Sequence, residues 1–104
     1  MKEIKHIILI PVYNDWKSLN KLLGDIDSTL AKNHLLQIEV LIINDFSSSG
    51  VDIKKKDLKS IKKINVINLN KNLGSQKSIA IGLNYLSERN ENFYITVMDG
   101  DGED

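Results

Sequence analysis

"IILIPV" (7–12), followed directly by "YND" (13–15), is the stretch that decides the fold. Its apolar residues run on without the polar alternation expected of a strand with one wet face, and the run stops at turn-forming Asn14 and Asp15. A short continuous run of this kind reads as a strand covered on both sides, as in a parallel sheet layered between helices. Three more runs have similar length and character: "IEVLII" (38–43), "INVINL" (64–69) and "FYITVM" (93–98). The second and fourth runs are as continuous as the first, so the same double cover is expected of them.

Helical spacing fills the gaps. Over 16–31, Leu19, Leu22, Leu23, Ile26 and Leu30 recur on one face, with Asp15 placed to cap the helix. Over 75–88, Ile79, Ala80, Leu83 and Leu86 do the same, with Ser75 as the cap. The stretch "VDIKKKDLKSIKK" (51–63) sets Ile53, Leu58 and Ile61 among lysines, which predicts a weak, solvated helix rather than a binding patch. The element order is β-α-β-α-β-α-β. That order defines an α/β class protein: a Rossmann-like parallel sheet of about four strands with flanking helices and right-handed crossovers.

At 104 residues the chain has room for one core. Fourteen basic residues balance fourteen acidic ones, so no net field draws it to nucleic acid or to an anionic membrane. The absence of cysteine excludes disulfides, thiolate metal sites and cysteine nucleophiles. The apolar run near the N-terminus is shorter than a secretory core and lacks a small-residue cleavage site, and no stretch approaches a membrane span of roughly 20 residues. A soluble, cytoplasmic chain is the expectation.

In open parallel sheets ligands lie outside the carboxyl ends of the strands, near the point where strand order reverses. The segments that follow the four runs are all polar: 11–15, 44–50, 70–76 and 99–104. Turn chemistry alone supplies Asn, Asp, Ser and Gly at such places. Their gathering on one edge is what the topology adds. In the last segment Asp99, Asp101 and Glu103 alternate onto one side of an extended chain, while Gly100 and Gly102 leave room for a bulky anion. Hard oxygen donors so spaced suit Mg²⁺ or Mn²⁺ shared with phosphates; the plainer reading is a solvated acidic tail. Asp45 is placed either to accept hydrogen bonds from a base or ribose or to cap the serine-rich turn behind it. Lys71 could pair with a phosphate or simply face solvent. Gly74 gives a tight turn into a helix whose N-terminus favours anions, with Gln76 as a further donor. His6 and His34 have no partner at metal-ligand spacing, and Trp16 reads as a packing residue.

These residues also carry a resemblance. "IPVYND", "LIINDFSSSG", "NLNKNLGSQKSIAIGL" and "VMDGDGED" resemble, in order and spacing, the successive blocks of family 2 glycosyltransferases with the GT-A fold. The Asn72-x-Gly74-x-Gln76 loop and the extended acidic motif look closest to the polyprenyl-phosphate branch, which includes dolichol-phosphate mannose synthases. The resemblance implies a nucleotide-diphosphate-sugar donor, a sugar acceptor such as a lipid phosphate, and a role in cell-envelope glycan synthesis. It implies that Pro11, Tyr13 and Asp15 line the nucleotide pocket, that Asp45 contacts the base, and that Lys71 lies in the loop approaching the donor. Asp99 and Asp101 match the Asp-x-Asp metal pair, with Glu103 where the branch often has a glutamine ligand; Asp101 and Glu103 would bind metal directly, and Asp99 would reach ribose or metal through water. Two positions depart from the pattern: Asn44 stands for the usual first aspartate, and Phe46 for the usual glycine, where its ring could pack over the base.

The family's catalytic domains are longer than this chain. Residues 1–104 therefore look like the donor-binding, N-terminal half of a GT-A domain, cut after the Asp-x-Asp motif and inactive alone. The acceptor site and any general base would lie outside it, and the whole enzyme would work at the inner face of the membrane. An edge exposed at the fourth strand would favour self-association. The competing readings are a non-catalytic nucleotide- or metal-binding module and a phosphoacceptor receiver-like domain; the single Asp15 after the first strand counts against the latter.

Overall fold

The computed structural model describes residues 4–33 and 36–99. Seven elements follow one another: β1 (Ile4–Val12), α1 (Trp16–Leu30), β2 (Leu36–Asn44), a 3₁₀ turn (Lys55–Asp57), β3 (Lys63–Asn68), α2 (Ser75–Ser87) and β4 (Tyr94–Val97). The four strands form one parallel sheet in the order β3-β2-β1-β4. The chain therefore steps outward from β1 to β3. It then crosses back through α2 to pair β4 on the far side of β1, so strand order reverses between β1 and β4.

The continuous apolar runs are explained by two cores, one on each face of the sheet. Ile8, Ile10 and Val12 of β1, with Ile38, Val40 and Ile42 of β2, pack with Trp16, Leu19, Leu23, Ile26 and Leu30 of α1. The alternate residues, Ile7, Leu9, Leu41 and Ile43, pack with Leu86 of α2 on the other face. Burying each such side chain is worth about 1.5–3 kcal/mol, so β1 and β2 carry most of the fold's apolar stabilisation. Asp15 caps α1 as expected, its Oδ1 accepting the Ser18 N–H at 3.1 Å. Trp16 is a core residue. His6 stacks on Tyr94 at 5.1 Å between ring centroids, whereas His34 lies outside the described residues.

Three expectations are corrected. The lysine-rich stretch forms only the single 3₁₀ turn, because its backbone donors are claimed elsewhere: the N–H groups of Lys59, Ser60 and Ile61 all donate to the Asp27 carboxylate. Asn20 adds a bridge, donating to the Asp52 carbonyl and accepting from the Lys54 N–H, both at 2.8 Å. Ser75 is not the cap of α2. Gly74 holds that position at φ 91°, with no side-chain cap bond, and Ser75 is the first helical residue. Finally, β4 is exposed at every position rather than covered on both faces. Among the described residues it is an edge strand, paired only with β1.

The turn into β4 is pinned at the amino ends of the strands. Buried Glu39 of β2 accepts from Arg89 at 2.5 Å, and Lys5 of β1 reaches Glu91 at 2.7 Å and Glu39 at 3.5 Å. Arg89 also pairs with Glu91 and lies over the Phe93 ring, 5.5 Å from its centroid. Burial pushes the Glu39 carboxyl up, but the Arg89 hydrogen bond and the charges of Arg89 and Lys5 outweigh it and hold the group below its ordinary range.

Candidate functional site

Strand register brings the loops to one level. Val12 pairs with Asn44, and Asn44 with Asn68, so β1, β2 and β3 end side by side. Asp45 then donates its N–H to the Val12 carbonyl at 2.9 Å, and Leu69 donates to the Asn44 carbonyl at 2.9 Å. On the other side of β1, Leu9 pairs with Val97 and its carbonyl accepts the Met98 N–H at 3.0 Å. Continued two residues further, that register sets Asp99 level with Pro11.

Here the structure has a cleft of about 160 Å³ lined by Pro11, Val12, Tyr13, Asp45, Ser75 and Asp99. It lies at the carboxyl ends of the strands beside the point where strand order reverses, the place the topology rule names. Four of the residues singled out from sequence thus meet in one cavity: Pro11, Tyr13, Asp45 and Asp99. Tyr13 is half exposed and Asp45 is buried. Asp15 is engaged as the α1 cap and Lys71 is exposed on the loop after β3; neither lines the cleft. Asp101 and Glu103 lie outside the described residues.

Asp45 is held by the loop before α2. Its Oδ1 accepts the Leu73 N–H at 2.7 Å; its Oδ2 accepts the Gly74 N–H and Asn72 Nδ2, both at 2.9 Å. The carboxylate therefore does not cap the serine-rich turn behind it. That turn is tied by residues the sequence did not single out for it. The Ser47 N–H donates to Asn44 Oδ1 at 3.1 Å, and the Asn14 N–H donates to Ser47 Oγ at 2.9 Å. Asn14 Oδ1 accepts from Ser48 N–H at 2.7 Å and Ser48 Oγ at 3.1 Å. Asn44 Nδ2 in turn donates to Asn68 Oδ1 at 2.9 Å, a bond an aspartate could not make as donor. Asn14 and Phe46 both sit in the left-handed region at φ 60°. Asparagine tolerates this conformation; a phenylalanine there is unusual. The run of Asn, Asp and Ser in both loops was the available signal for this stitching, since these side chains bond to nearby backbone.

Among the described residues no group of three or more His, Cys, Asp or Glu side chains is arranged to hold a metal ion. Of the three carboxylates expected to hold a metal, Asp99 lines the cleft, while Asp101 and Glu103 lie outside the described residues. A carboxylate is the hard oxygen donor that Mg²⁺ or Mn²⁺ takes alongside phosphate oxygens.

A parallel α/β sheet with helices on its faces and a cleft at its switch point gives this chain a Rossmann-like fold. Residues 7–104 match the family model described as "Glycosyl transferase family 2", and the chain belongs to that family. Its sheet and helices are consistent with the N-terminal half of a GT-A fold. No curated protein matches the chain significantly. Among the described residues no helix is long and apolar enough to cross a membrane.

Proposed function

We propose that the cleft binds a nucleotide-diphosphate sugar and that the chain forms the donor-binding half, residues 1–104, of a glycosyltransferase acting on a polyprenyl-phosphate acceptor. The observation that carries the reading is the meeting of Pro11, Tyr13, Asp45 and Asp99, drawn from three strand ends, in a cleft at the switch point. Tyr13 and Pro11 offer an apolar wall to the nucleoside. Asp45, already anchored by Asn72, Leu73 and Gly74, retains lone-pair capacity for a base or ribose donor. Lys71, exposed on the loop after β3, is assigned to the donor phosphates, and Asp15 supports the site from outside its lining by capping α1.

Asp99, Asp101 and Glu103 would hold Mg²⁺ or Mn²⁺, which when bound neutralises charge on the leaving diphosphate. The protein's own part is positioning: fixed side chains hold the donor so that its anomeric carbon faces the acceptor, and little covalent work is asked of them. Calorimetric titration of UDP-, GDP- and dTDP-sugars with and without Mn²⁺ tests the reading. Metal-dependent binding of one donor, weakened in Asp101→Ala, is expected. Absence of binding for all three donors would overturn it.

A further inference from the structure

We infer that Phe46 is a stacking platform for the donor's nucleobase and helps to set which base the cleft accepts; the inference rests on the nucleotide-sugar reading above. Phe46 sits at φ 60°, a backbone conformation that bulky side chains rarely adopt. A glycine would adopt it freely, so the loop's shape alone does not call for phenylalanine. Nor does packing call for it, because 55% of Phe46 is exposed.

The strain is imposed from both sides. Asp45 is fixed by Asn72, Leu73 and Gly74, and Ser47 is fixed by Asn44 and Asn14. Between these anchors the loop holds Phe46 at its positive φ, and the ring is left presented to solvent beside a cleft-lining residue. Tyr13 is 53% exposed and lines the cleft from the adjacent loop. Its neighbour Asn14 is bonded to Ser47 and Ser48. Two exposed aromatic residues thus stand on loops stitched to each other, one of them beside and the other part of a cleft of about 160 Å³. A cavity of about 150 Å³ holds a benzene-sized ring. A planar base is the part of the donor whose π-face such rings recognise.

The test uses the whole chain with Phe46→Gly, Phe46→Leu and Phe46→Trp, titrated with UDP, GDP and inorganic diphosphate in the presence of Mn²⁺. Phe46→Gly and Phe46→Leu should raise the nucleotide Kd roughly 5- to 100-fold, as loss of one base–aromatic stack does, and Phe46→Trp should restore binding. Inorganic diphosphate should bind all forms alike. The base protons of bound nucleotide should shift upfield by NMR in the wild type and less in Phe46→Gly. Because glycine suits the left-handed backbone, the thermal midpoint of Phe46→Gly should equal or exceed that of the wild type, so weaker binding would not reflect unfolding. Unchanged nucleotide binding in Phe46→Gly overturns the inference while leaving the proposed function standing, and so does an equal loss of inorganic diphosphate. Failure of the wild type to bind any nucleotide overturns the proposed function and this inference with it.

Discussion

Asp45 joins two loops that are far apart in sequence. Its oxygens take the N–H groups of Leu73 and Gly74, 28 and 29 residues later, and the Asn72 amide. Asp45→Ala should leave these part-buried donors without acceptors, at a cost of about 3 kcal/mol in urea unfolding. Asp45→Asn keeps the shape but replaces one acceptor with a donor facing the Gly74 or Leu73 N–H, and should cost about 1–2 kcal/mol. At this scale the sequence was legible for residue types and for the strand ends they follow. It was not legible for partners. A carboxylate at a strand end announces an acceptor, but backbone N–H donors leave no mark in the sequence. Hence Asp45 could be placed at the site while the loop it holds could not be named. Asp15 is the converse case: its position before an amphipathic stripe gave its partner, because the capped N–H is only three residues away.

Elements succeed or fail by what their backbones are offered. The stripe of α1 and the doubly covered β1 and β2 were readable because burial on a fixed face leaves a period. The lysine-rich stretch has a weak helical period, yet Asp27 captures the N–H groups of Lys59, Ser60 and Ile61 and wins them for a loop. Burial raises the Asp27 carboxyl's affinity for protons, but those three hydrogen bonds and the nearby Lys59 charge together hold it below the ordinary 3.8. A carboxyl depressed in the folded state contributes stability above its unfolded value and loses it as pH falls through the folded one. Asp27→Ala should therefore lower stability by about 1–2 kcal/mol at neutral pH and remove part of the decline seen below pH 3.8 in pH-dependent urea melts. On α2 the decisive position is Gly82. A Cβ there would come within 2.5 Å of Leu9 Cδ1 and 3.3 Å of Ile43 Cδ1, both on fully buried side chains. Gly82→Val should cost about 2–3 kcal/mol through overpacking, despite leaving the helix hydrogen bonds intact.

For the whole molecule, the reversal of strand order decides both where the cleft lies and where the sheet is open. The strand "YITV" (94–97) carries no charge or proline to discourage pairing, and Tyr94, Ile95 and Val97 are all exposed. Concentration-dependent association is expected by sedimentation velocity, and Ile95→Lys should suppress it; a chain that stays monomeric up to millimolar concentration would rule the edge out as a contact. The open edge was expected from sequence, but the bare faces of this strand were not, because "FYITVM" is as apolar as the runs that are covered. Apolar content reports what a strand could bury, whereas cover depends on where α1 and α2 come to rest.

β4 also joins parts of unequal permanence. Asp45 stands at the end of a central strand, but Asp99 follows a strand of four residues that, among the described residues, is laddered to β1 alone. Local opening that frees β4 need not disturb β1 and β2, so amides of residues 94–98 should exchange with solvent well before those of β2. A donor that bridges Asp45 and Asp99 would spend part of its binding free energy closing that equilibrium. Its affinity would then depend on how often β4 is docked, and saturating nucleotide should slow exchange in β4 more than in β2.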